Sequence, residues 1–205
     1  MNLRAMSDFT TLLQQVRDCT LCEPDLPLGA RPVLRIDSRA AILIAGQAPG
    51  RKVHDTGIPF NDPSGERLRL WLGVSRDCFY DAAIFALVPM GFCYPGTGPS
   101  GDLPPPPQCA LTWRQMLLAR LPRLELTVAL GKHALSYHCG RPSHSVTQIV
   151  KAWREYWPSL VPMAHPSPRN NLWLKQNPWF EQELVPALRS RVAEIIDRNK
   201  KMVDK

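Results

Sequence analysis

The sequence predicts an α/β domain, a three-layer α/β/α sandwich around a central four-stranded parallel sheet. Four short apolar runs, each of a length typical of a buried strand, occupy residues 41–45, 83–88, 126–130 and 160–164. Segments with helical spacing of apolar residues separate these runs, at residues 64–72, 111–121 and 132–138. This alternation of strands and helices favours a parallel sheet that carries helices on both faces.

Both ends of the chain are predicted to be helical. Apolar residues recur at helical spacing between positions 9 and 16, and again after position 178, where Pro186 should kink or split the helix. The chain shows no internal repeat and no change of composition that marks a second domain. We therefore predict a single domain over residues 1–205, with a charged tail at residues 198–205 that is expected to fray.

The composition indicates the kind of partner. The 205 residues include 25 Lys and Arg against 18 Asp and Glu, which gives a net charge of +7. A basic balance favours a polyanionic partner, nucleic acid first, although many basic proteins bind none. No apolar stretch approaches the roughly 18 residues that span a bilayer, and the N-terminus lacks a signal-peptide core. We expect a cytoplasmic monomer with no membrane association.

Six cysteines in a chain without a secretory signal indicate a metal site or free thiols rather than disulfides. Cys19 and Cys22 form a CxxC pair, whose two-residue gap lets two thiolates reach one metal from a tight turn. A second pair, Cys93 and Cys109, has fifteen residues between its members and flanks a stretch rich in proline and glycine. From the residues alone, structural zinc and plain thiols remain alternatives.

Two short motifs each follow a predicted strand. Gly-Gln-Ala-Pro-Gly occupies residues 46–50, and His-Pro-Ser-Pro-Arg-Asn occupies residues 165–170. In an open parallel sheet, ligands bind at the carboxyl ends of strands, near the point where strand order reverses. We therefore expect these loops to face one pocket, where the first offers backbone amides and the second a histidine between prolines.

These motifs resemble those of the uracil-DNA glycosylase superfamily. The resemblance continues through Thr-Gly-Ile-Pro-Phe at 56–60 and Asp-Pro-Ser-Gly at 62–65, and it covers residues 15–190. It implies the same fold and a monofunctional DNA glycosylase, which hydrolyses the N-glycosidic bond of a deaminated base in base excision repair. The second motif is most similar to the single-strand-selective branch, whereas the cysteine layout resembles the iron–sulfur branches.

The resemblance also implies roles for individual residues. His165 would donate a hydrogen bond to a base oxygen whose negative charge grows as the bond to the sugar breaks. Phe60 would stack on the flipped base. The wall against the base would be formed by Ala48, Pro49 and Gly50. Contacts to the DNA backbone and groove would come from Ser167, Arg169 and Asn170.

The residue that activates water is the point at which this chain departs from the family. Related branches carry Glu or Asp in the first motif, where this chain has Gln47 and Ala48. An amide can position a water molecule but cannot act as a general base. Another iron–sulfur branch has an Asp at the place of Asp62, so Asp62 together with Gln47 is predicted to orient the water, with Asp55 in reserve. Both carboxylates also fit ordinary loop positions.

The base that is excised is the second departure. Uracil-specific members read the base with an Asn at the end of the second strand, where this chain has Pro89. Asn61 is the side chain expected to contact the base instead. Uracil is the default substrate by resemblance, with hypoxanthine or xanthine as alternatives. No lysine is placed to form a Schiff base, so no lyase activity is expected. The alternative to an enzyme is a catalytically inactive DNA- or lesion-binding protein on the same scaffold.

The cysteine spacing matches the ligand pattern of the iron–sulfur branches. By resemblance it implies a 4Fe–4S cluster with a structural role, and zinc or no metal as the alternatives. The ligands would be Cys19, Cys22, Cys93 and Cys109.

Overall fold

The computed structural model describes residues 3–99, 101–141 and 143–203, with side chains from residue 8 to residue 201 in these ranges. Its strands are β1 (Ile42–Ala45), β2 (Phe85–Leu87), β3 (Thr97–Gly98), β4 (Gly101–Asp102), β5 (Leu126–Leu130) and β6 (Leu160–Met163). Strands β2, β1, β5 and β6 form, in that spatial order, one sheet whose described pairings are all parallel. The predicted four-stranded parallel sheet is thereby confirmed. Strands β3 and β4 form a separate antiparallel hairpin.

The helices surround the sheet. They are α1 (Leu3–Arg17), α2 (Arg51–Thr56), α3 (Pro63–Leu72), α4 (Arg76–Phe79), α5 (Pro107–Cys109), α6 (Gln115–Leu118), α7 (Gly131–Cys139), α8 (Val146–Lys151), α9 (Asn171–Gln176) and α10 (Val185–Val203). Two π-helical turns, Ala110–Arg114 and Phe180–Leu184, lead directly into α6 and α10. Within the described ranges, no helix combines the length and the apolar composition that a bilayer span requires.

Strand β1 shows why the sheet has a helical layer on each face. Successive side chains of a strand point to opposite faces. Ile42 and Ile44 belong to the larger apolar core, which includes residues of α3, α7 and α10. Leu43 packs into a second core with Leu12 of α1 and Leu117 of α6. Because both faces are covered, the strand is apolar throughout, as parallel strands in three-layer folds are.

Two features of the C-terminal helix can be compared with the sequence prediction. Pro186 does not split it, because the π-helical turn before α10 accommodates a residue that has no N–H to donate. The tail predicted to fray from residue 198 is helical through Val203. Arg198 pairs with Glu125, and buried Asn199 donates from Nδ2 to the carbonyl of Ile195 at 3.0 Å. Residues 204–205 lie outside the described residues.

The strand order places the reversal point between β1 and β5. The chain passes from β1 to β2 on one side and then returns to β5 and β6 on the other. The loops that leave the carboxyl ends of β1, β5 and β6 therefore converge at one edge of the sheet. This edge carries both motifs that the sequence singled out.

Candidate active site at the carboxyl edge of the sheet

A pocket of about 570 Å³ opens at this edge. Residues from both motifs and from the segment between α2 and α3 share its lining. Of the predicted site residues, it is lined by Gln47, Ala48, Pro49, Gly50, Phe60, Asp62, His165, Ser167, Arg169 and Asn170. The two loops thus face one cavity, as the order of the strands requires.

His165 is held in one orientation and one tautomer. Its Nδ1 accepts the backbone N–H of Ser167 at 3.2 Å, so in the neutral ring the proton lies on Nε2. The side chain of Asn170 donates to the His165 carbonyl at 2.7 Å. Burial lowers the pKa of His165, and the negative charges of Asp62 and Asp102 only partly oppose this effect. The pocket therefore contains a neutral imidazole whose free nitrogen is a hydrogen-bond donor.

Two residues that the sequence analysis did not identify position the histidine loop. Gly131, directly after β5, has a φ of +75°, and a Cβ there would lie 3.2 Å from the Cβ of His165. Arg67 of α3 donates to the carbonyl of Ser167 at 3.1 Å and to Oδ1 of Asn171 at 2.7 Å. Gly131 directly follows β5, as Gly46 directly follows β1. This position after a strand is the one sequence signal that points to Gly131.

Phe60 has a left-handed backbone, with a φ of +55° that is uncommon for an aromatic residue. Arg69 donates to its carbonyl at 3.4 Å, and Phe79 meets its ring edge-on at a centroid distance of 5.9 Å. Gly65 leaves room for the carbonyl of Phe60, since a Cβ at position 65 would lie 1.8 Å from that oxygen. The far end of the ring lies 3.3 Å from the Cβ position of Gly46. The ring is therefore fixed beside the first motif.

The predicted polar residues between α2 and α3 have different positions. Asp62 lines the pocket, and its Oδ1 accepts the N–H of Gly65 at 2.8 Å as the N-cap of α3. The structure does not bring Asn61 or Asp55 to the pocket. Asn61 Oδ1 accepts a hydrogen bond from Arg76 at 3.0 Å, and exposed Asp55 pairs with Arg51 at 3.2 Å.

The hairpin β3–β4 brings a further acidic residue, Asp102, to the pocket. Gln47 Nε2 donates to the backbone carbonyl of Leu103 at 2.9 Å and to that of Asp102 at 3.4 Å. The amide group of the first motif is thus bound to the hairpin. Pro89 also lines the pocket, and its side chain offers neither a donor nor an acceptor.

The end of β2 is fixed by a fully buried arginine. Arg114 Nη1 donates to the carbonyls of Val88 and Pro89 at 3.1 and 2.9 Å, and its Nη2 lies 2.7 Å from His138 Nε2. Burial lowers the pKa of Arg114 to about 10, so the guanidinium stays charged at neutral pH. His138 must therefore accept this hydrogen bond with an unprotonated Nε2.

A second, smaller cavity is lined by all four cysteines of the predicted cluster site, Cys19, Cys22, Cys93 and Cys109. All four are free thiols, and Trp113 Nε1 donates to Cys19 Sγ at 3.3 Å. Burial raises the pKa of Cys109 to about 11, which disfavours the thiolate in the absence of a cation. In the described part of the chain, no group of three or more His, Cys, Asp or Glu residues could hold a metal ion. The fold places these four cysteines around one cavity.

A family model matches most of the chain. The family model of the Uracil DNA glycosylase superfamily matches residues 35–189. This range includes the four strands of the sheet and both pocket motifs. The chain belongs to the uracil DNA glycosylase superfamily. Membership in the superfamily supports the assignment of this protein to the DNA glycosylases, a class of hydrolases, and of DNA as its partner. Cys93 and Cys109 lie inside the matched range, and the CxxC pair precedes it.

Proposed function

We propose that this superfamily member is a monofunctional DNA glycosylase that hydrolyses the N-glycosidic bond of a deaminated base. Uracil is the default base, and hypoxanthine and xanthine are the alternatives. The base would leave the DNA stack, enter the pocket at the carboxyl edge of the sheet and lie on Phe60.

The observation that carries the proposal is the state of His165. As the bond between the base and sugar carbon C1′ breaks, the base gains negative charge. The neutral ring, with Nδ1 occupied by Ser167, offers Nε2–H as a donor to that charge. The donor is already oriented, so little reorganisation is needed when the bond breaks.

The range of bases that we propose depends on a polar side chain that the pocket wall lacks. Pro89 lines the wall at the position where uracil-specific members read the base with an Asn. Without this paired donor and acceptor, discrimination against the purine products of deamination is reduced. None of the described pocket-lining residues is a lysine, which supports a monofunctional enzyme without Schiff-base chemistry.

The mouth of the pocket provides DNA contacts. Arg169 is exposed there, and Ser167 precedes the short helical turn Pro168–Asn170. We propose that Arg169 and Asn170 approach the DNA groove, with Ser167 beside the backbone of the flipped nucleotide. The net charge of +7 favours binding to a polyanion.

We further propose that the four cysteines hold a 4Fe–4S cluster. Their common cavity and the hydrogen bond from Trp113 to Cys19 Sγ support this assignment, since donors to sulfur are typical of iron–sulfur sites. When bound, the cluster would cross-link the end of α1 to the segment between Cys93 and Cys109. The role proposed for it is structural.

The test of the function is base release from oligonucleotides that carry a single uracil, hypoxanthine or xanthine, as single and double strands. We expect the wild type to release at least one of these bases under single-turnover conditions. His165→Ala should lower that rate by about 100-fold or more, as the loss of an oxyanion donor does. DNA affinity should change by less than about threefold. His144→Ala, at an exposed histidine far from the pocket motifs in sequence, is the matched control.

A second function, lesion binding without catalysis, is favoured by Gln47 and Pro89, which replace family residues that act on water and base. Tight binding of lesion DNA by the folded wild type without release of any of the three bases would establish that function and contradict ours. Trapping of a covalent DNA adduct with borohydride would contradict the monofunctional assignment.

A further inference from the structure

A carboxylate from outside both motifs reaches the pocket. Asp102 lies on β4 and lines the same cavity as His165 and Gln47. We propose that Asp102 is the general base that activates the attacking water. The inference rests on the proposed glycosylase function and supplies the acid that the first motif lacks.

Hydrogen bonds hold Asp102 by one oxygen and leave the other open. Thr97, its cross-strand partner, donates from Oγ1 to Asp102 Oδ1 at 3.1 Å. Tyr94 Oη lies 2.6 Å from Thr97 Oγ1 and donates to it when the Thr97 proton is used this way. In the described part of the chain, Asp102 Oδ2 has no hydrogen-bond partner, and it lies 3.3 Å from the Cβ position of Gly50. Its lone pairs are available to a water molecule at the first motif.

Gln47 explains why the acid is on the hairpin. Its Nε2 donates to the carbonyls of Asp102 and Leu103 and so attaches the hairpin to the first motif. A glutamate at this position would place a carboxylate against two carbonyl oxygens, with no hydrogen between them. The amide therefore positions the hairpin, and Asp102 presents the carboxylate.

Asp62, the other carboxylate of the pocket, has a role in local structure. One of its oxygens accepts the N–H of Gly65, and the cap at the start of α3 accounts for its place in the chain. Asp102 caps no helix, and none of the ion pairs formed by the described residues includes it. Both carboxylates lie close enough to His165 to favour its charged form.

The proposed step balances without an oxidant or a reductant. Asp102 Oδ2 accepts a proton from water as the water oxygen bonds to C1′ of the sugar. The bond from C1′ to the base nitrogen breaks, and its electron pair leaves with the base, whose charge is stabilised by His165 Nε2–H. The carboxyl group then returns its proton to solvent, the base anion takes up a proton from solvent, and the products are the free base and an abasic site.

The test compares isosteric variants over a pH series. The charged or titratable groups that face Asp102 are His165, Asp62, Arg169 beside Gly101 and, through Thr97, Tyr94.

Asp102→Asn should lower the single-turnover rate about 100-fold or more and abolish the fall in rate toward acidic pH. Asp62→Asn should lower the rate less than Asp102→Asn does, because asparagine is an equally good N-cap. Asp197→Asn, an exposed carboxylate on α10, is the control for charge.

A second variant separates chemistry from structure. Asp102→Ala should regain part of its rate when formate is added, since a small carboxylate can replace the missing group. A hairpin that has only lost its anchor would gain nothing from formate.

The outcomes distinguish this inference from the function on which it rests. Release that depends on His165 but changes less than about threefold in Asp102→Asn would overturn the assignment and leave the glycosylase intact. A loss in Asp62→Asn equal to or greater than that in Asp102→Asn would also overturn it. A folded wild type that releases no base would overturn both.

Discussion

Phe60 is a bulky residue in a backbone conformation that is costly for it, with a φ of +55°. A left-handed residue of this kind costs roughly 1–2 kcal/mol, so its neighbours must hold it in place. Gly65 and Arg69 do so from α3: the glycine leaves room for the Phe60 carbonyl, and the arginine donates to that oxygen. The position of the proposed stacking ring therefore depends on the start of a helix.

Replacement of Gly65 by alanine tests this dependence. The new Cβ would lie 1.8 Å from the Phe60 carbonyl oxygen, so we expect the free energy of unfolding in urea to fall by about 3 kcal/mol. Base release should fall with it, because Phe60 must move. Gly140→Ala is the control: its φ is +63° but no atom lies within 4 Å, so it should cost only about 1 kcal/mol. Equal losses in the two variants would show that the Phe60 backbone adapts freely.

Part of the predicted site has a simple sequence signal, which is a loop directly after a recognisable apolar strand. His165 and the first motif fall in this class. Asp102 and Arg67 do not carry such a signal, because each reaches the site through a contact between segments distant in the chain. Gly131 does follow a strand, but its approach to His165 also joins distant segments. The contact between Arg76 and the side chain of Asn61 is likewise not visible in the sequence pattern.

Among the elements, the strands were the most predictable and the helix after the proline-rich segment was the least. Four apolar runs reappear as β1, β2, β5 and β6 because strands covered on both faces contain few polar residues. The single helix predicted at residues 111–121 is instead a π-helical turn followed by α6. Arg114 closes that turn, and its guanidinium binds the end of β2, an interaction that periodicity does not reveal.

The contact between Arg114 and His138 makes α7 sensitive to acid. Burial, and next the charge of Arg114, lower the pKa of His138 from 6.5 to about 3. Between these two values the unfolded chain binds a proton that the folded chain does not, so stability falls as the pH falls. Above the unfolded pKa the contribution is constant.

His138→Gln isolates this effect, because the glutamine oxygen can accept from Arg114 and does not titrate. Relative to this variant, the wild type should lose about 2 kcal/mol of unfolding free energy between pH 7.5 and pH 5. Urea unfolding at the two pH values measures the difference. The same pH dependence in both proteins would mean that His138 is protonated in the folded state.

At the scale of the whole molecule, the segment between Cys93 and Cys109 joins two sites. Both of its ends line the cysteine cavity, and Asp102, near its middle, lines the pocket. Gln47 binds the hairpin at the pocket, and the two cysteines mark the ends of the segment that carries it. A cross-link at the cysteines would restrict the conformations of the segment even when DNA is absent.

Cys109→Ser tests this arrangement in protein purified without oxygen. The wild type should contain about four iron atoms per chain and absorb visible light as iron–sulfur proteins do. The variant should lose both signals, show a lower Tm and release base more slowly. Cys139→Ser, at a free cysteine outside the cavity, should match the wild type. Wild-type protein that lacks iron but is fully active would contradict the cluster.

The shared segment also has a thermodynamic consequence. A contact that orders the hairpin at the pocket also restricts the segment between Cys93 and Cys109. Coupling between two binding sites is reciprocal. If a bound metal group strengthens DNA binding, then bound DNA must strengthen the binding of the metal group by the same free energy. Occupancy of the pocket would then protect the proposed sulfur ligands, and the protein would be most resistant to chelators and oxidants while it is bound to DNA.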